Sequence, residues 1–191
     1  MNRFAMIIVT GLLLGSPHPL WAQDHKHDAK VSTAPAQPTL KSNQAAVDVH
    51  GVVCSICAYG LDKRLSKLSF LDRSQFKKGV LIDIYKHTVT LALAPDKPVH
   101  IKQIHDAIVD GGYKPVTFFL RVSGTVERQG DSTLLRRGTG EVFQLSGERV
   151  DQLVTGQGAD VQITIDAKHV ASLKADQPIQ GTVTRIGGDA T

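Results

Sequence analysis

Apolar residues recur along the chain with two different periods, and the places where one period gives way to the other mark out the elements. Val47, Val49 and Gly51 alternate with Asp48 and His50, which is the period of a half-buried strand. Leu61, Leu65 and Leu68 then recur at helical spacing, with Lys63, Arg64 and Lys67 on the outer side. Gly79 to Ile84 and His87 to Leu93 return to β-branched alternation on either side of a Tyr85-Lys86 turn. Pro95 and Pro98 stop the second of these strands, Pro98 suits a helix start, and Ile101, Ile104 and Ile108 form a stripe that ends at Gly111-Gly112. Val116 to Leu120 supply one more strand. The predicted order of strand, helix, two strands, helix and strand is the split βαβ, ferredoxin-like plan.

From Phe119 the texture changes. Leu120 to Val126, Gly140 to Leu145, Asp160 to Ile165 and Ile179 to Ile186 all alternate between Gly, Asp and Ser turns, and the only helical hint is a short turn around Val150 to Val154. Such spacing predicts a small all-β barrel, loosely of the OB type. The fold class expected is therefore α+β, a ferredoxin-like domain at 45–119 followed by an OB-like barrel at 120–191. The barrel holds one histidine, His169, and no cysteine, and it carries no chemistry of its own in this reading.

Upstream, Arg3 precedes an apolar run from Ile7 to Leu14, Pro17 and Pro19 break it, and Leu20, Trp21 and Ala22 follow. That layout predicts a signal peptide over 1–22, with a run too short to span a bilayer, and hence export to the periplasm, with an uncleaved membrane anchor as the alternative. Gln23 to Gln44 is polar, contains Pro35 and Pro38, and shows no hydrophobic period, which predicts a disordered leader.

Composition narrows the chemistry. At 191 residues and 41% hydrophobic content the chain can bury a sizeable core, and a formal charge of +4, lowered by one when Arg3 leaves with the signal, is too mild to argue for nucleic acid. Both methionines and the single tryptophan lie within 1–22, so all soft-ligand capacity of the mature chain falls on its two cysteines, Cys54 and Cys57. They stand where the strand period becomes the helix period. There the unpaired N–H groups and positive end of the helix favour thiolate over thiol, and two such sulfurs suit a soft ion that accepts two ligands, Cu(I) or Hg(II). His50 is close in sequence, but strand alternation aims it away.

Gly51-Val52-Val53-Cys54-Ser55-Ile56-Cys57 after a strand, followed by the helix, two strands, a second helix and Gly112-Tyr113 before a last strand, resembles the heavy-metal-associated domain of copper chaperones, P-type ATPase tails and the periplasmic mercuric-ion-binding protein. The resemblance runs from Ala46 to about Phe118. It implies a metal carrier with Cys54 and Cys57 as ligands, and it makes Tyr113, on a loop that approaches the metal loop in that family, a candidate for the layer behind the ligands. Two departures stand out: Val52 replaces the family's buried methionine and Val53 its threonine, and the stretch between Leu68 and Val80 is longer than the family's short loop.

Two other function classes compete with a carrier that passes its ion to a transporter or another thiol carrier. A thiol-disulfide redox protein also places Cys-x-x-Cys at a helix start, although Ser55-Ile56 is not the usual Gly-Pro of such enzymes. A metal-free interaction module is the third. Four-sulfur zinc is excluded within one chain by the count of two cysteines, and haem attachment by Ala58 after the second. Carriage by ligand exchange makes and breaks no substrate bond, so no enzymatic activity is expected. If the signal is cut after Ala22, Gln23, Asp24 and His25 present an α-amine, two amides and an imidazole, a square-planar set for Cu(II) or Ni(II).

Overall fold

The computed structural model describes residues 37–175 and 177–187, so the expected signal peptide, and the leader up to Ala36, lie outside the described residues. What is described is a mixed α/β unit built on one eight-stranded sheet in the order β2-β3-β1-β4-β5-β6-β8-β7, with four helices among the described residues. The strands are β1 (Gln44–His50), β2 (Val80–Asp83), β3 (Thr88–Ala92), β4 (Lys114–Gln129), β5 (Ser132–Arg136), β6 (Val142–Ser146), β7 (Gly158–Asp166) and β8 (Ile179–Ile186). The helices are α1 (Ser55–Leu65), the single turn α2 (Phe76–Gly79), α3 (Ile101–Val109) and α4 (Ala167–Ser172). None of them is long and apolar enough to cross a membrane.

The first four strands are mutually antiparallel in the order β2-β3-β1-β4, with α1 leading from β1 towards β2 and α3 from β3 to β4. Leu61 and Leu65 of α1 and Ile101, Ile104 and Ile108 of α3 are buried against Val47, Val49, Val89, Leu91 and Phe118 of the sheet, so both predicted helical stripes face the core. The long connection after α1 contains an unusual turn: Phe76, Lys77, Lys78 and Gly79 all have positive φ, and the Gly79 N–H donates to the Gln75 carbonyl at 2.7 Å. Three non-glycine residues in succession in the left-handed region cost about 1 kcal/mol or more each. Asp72, which accepts from the Ser74 N–H and hydroxyl and from the Gln75 amide, braces the approach to this turn.

β4 is the longest strand, at 16 residues, and the boundary expected between Phe119 and Leu120 falls inside it. Its first part, Lys114 to Leu120, pairs with β1, and its last part, Thr125 to Gln129, pairs with β5. The opposite edge, from Thr117 to Thr125, pairs with β7. Because β7 also pairs with β8, and β8 runs parallel to β6, the strands β4-β5-β6-β8-β7 close on themselves. Gly124 lies where β4 passes from one partner to the next: a Cβ there would stand 2.5 Å from the Arg136 carbonyl oxygen. One apolar cluster runs through the molecule from Val52, Leu61 and Phe70 to Phe143, Ile163 and Val183.

The expected leader gives way to ordered structure before Gln44. Gln44, Ala45 and Ala46 already belong to β1, and Pro38 and Leu40 are tied to Gln162 of β7. The buried Gln162 donates to the Pro38 carbonyl at 3.0 Å and accepts from the Leu40 N–H, while Arg121 donates to the Leu40 carbonyl at 3.1 Å and pairs with Asp160. Leu40 thereby covers Ala46 and Phe119 on the face of the sheet away from the main core. β5 was not foreseen in the sequence; Thr133, Leu134 and Leu135 are all buried, so its short run lacks the alternation that marks a half-exposed strand.

The helical half and the closed ring are also joined by a charge. Glu141, in the β5–β6 loop, accepts from the Val99 N–H just ahead of α3 at 2.6 Å, from Arg137 Nη1 at 2.6 Å and from the Thr139 hydroxyl. Arg137 and Glu141 side chains are 7% and 9% exposed, so breaking the pair leaves a buried charge. Burial alone would raise the carboxyl above its ordinary value, but the hydrogen bonds from Thr139 and Val99 and the Arg137 charge outweigh it and hold the value down.

Two outcomes follow from these contacts. The full chain should unfold in one cooperative transition, with calorimetric and van't Hoff enthalpies in agreement, and a chain ending at Leu120 should show no such transition because β4 loses β7 and its pairing with β5; two resolved transitions in the full chain would separate the halves. Because Glu141 is held below its ordinary 4.5, its stabilisation is present above that value and lost as pH falls through the lowered one. Glu141→Gln should cost roughly 3 kcal/mol near neutral pH and flatten the acid limb of the stability curve below about pH 5. An unchanged acid limb in chemical denaturation would remove Glu141 from this role.

Candidate metal centre

The loop that carries the cysteines leaves β1 at His50, whose register partner in β4 is Lys114. Gly51 turns the chain with a φ of +99°, a conformation L side chains rarely adopt. Val52 then points into the core at 1% exposure, while Val53 is 71% exposed.

Cys54 is the N-cap of α1. Its backbone is extended, with φ −145° and ψ 161°, and its Sγ accepts from the Cys57 N–H at 3.1 Å, so a sulfur takes the place that a serine or aspartate oxygen takes at other helix starts. The Ala58 N–H donates to the Cys54 carbonyl at 2.9 Å and begins the helical ladder. At the far end of α1, Lys63 and Arg64 complement the negative terminus. The two cysteine Cα atoms are 5.1 Å apart and the sulfurs are bonded to one another, which is the oxidised state of the pair. Cys54 is exposed, whereas Cys57 is half-buried and packs against the main core. The chemistry of two sulfurs at a helix start fits a soft two-coordinate ion once the bond between them is reduced.

Tyr113 is aimed at this loop by the end of α3. The Gly112 N–H donates to the Val109 carbonyl at 2.8 Å and the Tyr113 N–H to the Ile108 carbonyl at 3.2 Å, with Gly112 at φ +85°: the paired bonds and left-handed glycine of a Schellman ending. The Tyr113 hydroxyl then donates to the Cys57 carbonyl at 3.0 Å, and its ring lies 3.5 Å from where a Cβ on Gly51 would stand. Tyr113 therefore bonds to the backbone of the cysteine loop.

Among the described residues no third His, Cys, Asp or Glu completes a metal-holding group of three. His50 is exposed at the end of β1. His100 stacks edge-on to Phe70, His105 pairs through Nδ1 with Asp106, and His169 accepts the Gln180 N–H at Nε2. Asp48, two residues ahead of the loop on β1, is raised by burial, partly offset by the Thr88 hydroxyl and by His50. Gln23, Asp24 and His25 lie outside the described residues.

Sequence periodicity missed the surface around the thiols. Ile56 and Tyr59 are 82% and 68% exposed and, with Val53, leave apolar side chains in solvent close to Cys54 in sequence. The signal was available, since Ile56 and Tyr59 fall off the Leu61-Leu65 stripe and face outward on the same helix.

The hydrogen bond to Cys57 and the turn at Gly51 should be separable by substitution. Tyr113→Phe should cost about 1 kcal/mol in denaturant unfolding through the lost hydrogen bond, and Gly51→Ala about 1–2 kcal/mol through its positive φ. Tyr113→Phe at full stability would mean that water replaces the hydroxyl without penalty.

Comparison of the chain with protein-family models, with curated proteins and with solved structures returned no match.

Proposed function

We propose that this protein carries a soft metal ion, Cu(I) or Hg(II), between the thiolates of Cys54 and Cys57 and hands it on by ligand exchange. The observation that carries the reading is the setting of the pair: one sulfur exposed at the cap of α1, the other packed against the core, on a loop reached from solvent. The antiparallel order β2-β3-β1-β4, with α1 and α3 between its strands, supports a ferredoxin-like first half of the heavy-metal-associated kind. The closed β4-β5-β6-β8-β7 ring, with β6 parallel to β8, supports an OB-like second half.

In this reading a reductant first opens the Cys54–Cys57 bond, adding two electrons and two protons to give two thiols. The positive end of α1 favours their thiolates, and an ion bound by two sulfurs remains open to a third. An incoming thiolate of a transporter or carrier forms a three-coordinate intermediate, Cys54 is the more accessible sulfur to be displaced, and the ion passes without being free. The exposed apolar side chains of Val53, Ile56 and Tyr59 suit an encounter that excludes water from the exchange. An oxidising compartment such as the periplasm makes the metal-capped or reduced state a requirement for carriage. No substrate bond is made or broken, so the role is not enzymatic.

A thiol-disulfide redox protein is the second reading, and the bonded sulfurs are consistent with either. The sulfurs are bonded, and a Cys-x-x-Cys that cycles between this state and the dithiol is also a redox device. The two are distinguished by titrating reduced full chain with Cu(I) and with Hg(II), and by assaying insulin reduction. Carriage requires one tightly held ion per chain, lost in Cys54→Ser, in Cys57→Ser and in the double variant, with the fold retained by circular dichroism. Undiminished stoichiometry in the double variant sinks the carrier reading, and efficient insulin reduction by the wild type favours the redox one.

A further inference from the structure

The face of α1 turned away from the core carries two kinds of side chain, one after the other. Leu61 and Leu65 are buried, and the residues that fall opposite them on the helix, Ile56, Tyr59, Gly60, Lys63 and Arg64, are exposed. Ile56 and Tyr59 stand at the end nearest the cysteines, and Val53, just ahead of the helix, adds a third exposed apolar side chain. Lys63 and Arg64 follow Ile56 within about two turns, and Lys67 is exposed in the turn after the helix. The strip is thus apolar at its thiol end and cationic at the other.

Neither part of the strip is taken up by the described residues. Lys63, Arg64 and Lys67 form no ion pair among them. Asp62, the one carboxylate on α1, is half-buried on the flank of the helix. At the centre of the strip, open space surrounds the place where a Cβ on Gly60 would stand. The cations complement the negative end of α1, which accounts for their sign; it does not account for the three apolar side chains left in solvent at the positive end.

We propose that this face of α1 docks on an anionic lipid surface, with Val53, Ile56 and Tyr59 entering the headgroup region and Lys63, Arg64 and Lys67 lying against lipid phosphates. A protein partner would have to bury lysines, which are depleted from the centres of protein interfaces, and to supply a hollow for side chains that are exposed over most of their surface. A bilayer surface asks for neither. Its anionic headgroups attract ammonium and guanidinium groups without drying them, a tyrosine ring suits the headgroup level, and projecting isoleucine and valine side chains reach the acyl boundary. No described helix is long and apolar enough to cross a membrane, so the contact is peripheral. The docking does not depend on a bound ion; where carriage holds, it brings the thiol end of α1 to the surface in which a transporter sits.

The test is cosedimentation with vesicles of phosphatidylcholine containing about 30% phosphatidylglycerol, set against pure phosphatidylcholine vesicles and against soluble polyglutamate. The chain is used without residues 1–22, whose apolar run would enter a bilayer by itself; the compact unit from Gln37 to Thr191 is kept whole. Anionic vesicles should bind it at least about tenfold more tightly than neutral ones, and raising the salt from about 50 to 300 mM should weaken that binding. Lys63→Gln/Lys67→Gln should weaken it at least about tenfold, whereas Arg128→Gln/Lys168→Gln, an equal loss of exposed charge elsewhere, should change it about twofold or less. Ile56→Ser/Tyr59→Ser should also weaken it about tenfold and leave the salt dependence in place. All of these side chains are exposed, so circular dichroism should report the same fold in every variant. Reduction of the Cys54–Cys57 bond should leave vesicle binding unchanged, which keeps the result apart from the thiol reading. Equal binding to neutral vesicles, equal losses in the two charge variants or undiminished binding in the Ile56/Tyr59 variant overturns the proposal. So does tighter binding of polyglutamate at equal anionic charge, which would make the partner an acidic protein.

Discussion

Both edges of β4 are occupied, and the placing of everything else depends on that. A strand edge presents a row of N–H and C=O groups that must be satisfied, and β4 satisfies one edge with β1 and then β5, the other with β7. The change of partner on the first edge is allowed by Gly124, whose missing Cβ lets the Arg136 carbonyl approach. The same strand fixes the thiol loop. Pairing of His50 with Lys114 brings the residue after β1 and the residue before β4 side by side, and those are Gly51 and Tyr113. The contact between ring and glycine, and the hydroxyl bond to Cys57, are consequences of register rather than of any affinity between the two loops.

α3 connects the two halves in a second way. Its Ile101, Ile104 and Ile108 are buried in the common core, the residue two positions ahead of it is held by Glu141 of the ring, and its far end delivers Tyr113 to the thiol loop. An element buried along one face and bonded near both ends has few ways to move independently. The left-handed turn at 76–79 is the opposite case, a stretch of costly backbone held by Asp72 and by one i to i+4 bond. Its strain is tolerated because the strand that follows, beginning with the buried Val80, is anchored to β3.

The elements that were legible in the sequence are those with one wet face. The Leu61-Leu65 and Ile101-Ile104-Ile108 stripes, the alternating strands at 80–83 and 88–92, and Ile179–Ile186 all lie close to where period and punctuation put them. The buried Thr133-Leu134-Leu135 run was invisible because a strand wet on neither face has no alternation. The continuity of β4 was also hidden: the texture does change at Phe119, but a change of sheet partner and an end of strand look alike in sequence. Leu40 belongs in sequence to a polar leader because one apolar residue among prolines and threonines has no period, and only tertiary contact with Phe119 gives it a role. At the thiols, the switch of period located both sulfurs, whereas the exposure of Val53, Ile56 and Tyr59 depends on what does not cover them.

The two sulfurs are alike in chemistry and unlike in setting, and the difference matters for any exchange at this site. Cys54 Sγ already accepts one N–H, from Cys57, and a sulfur with further lone pairs can keep that bond while it binds another atom. On the proposed reading the same atom caps the start of α1 in the disulfide, in the thiolate and in the metal thiolate, so a change of state at the sulfur does not unwind the helix. Cys57 has no such freedom: its side chain packs on the core and its carbonyl is tied to Tyr113. Displacing Cys57 requires disturbing packed neighbours, while displacing Cys54 requires rotation of an exposed side chain and, if the sulfur swings away, the loss of the N–H bond from Cys57. An incoming nucleophile thus meets an asymmetric pair, and the asymmetry originates in β4, whose register with β1 sets Tyr113 against one end of the loop and leaves the other end to solvent.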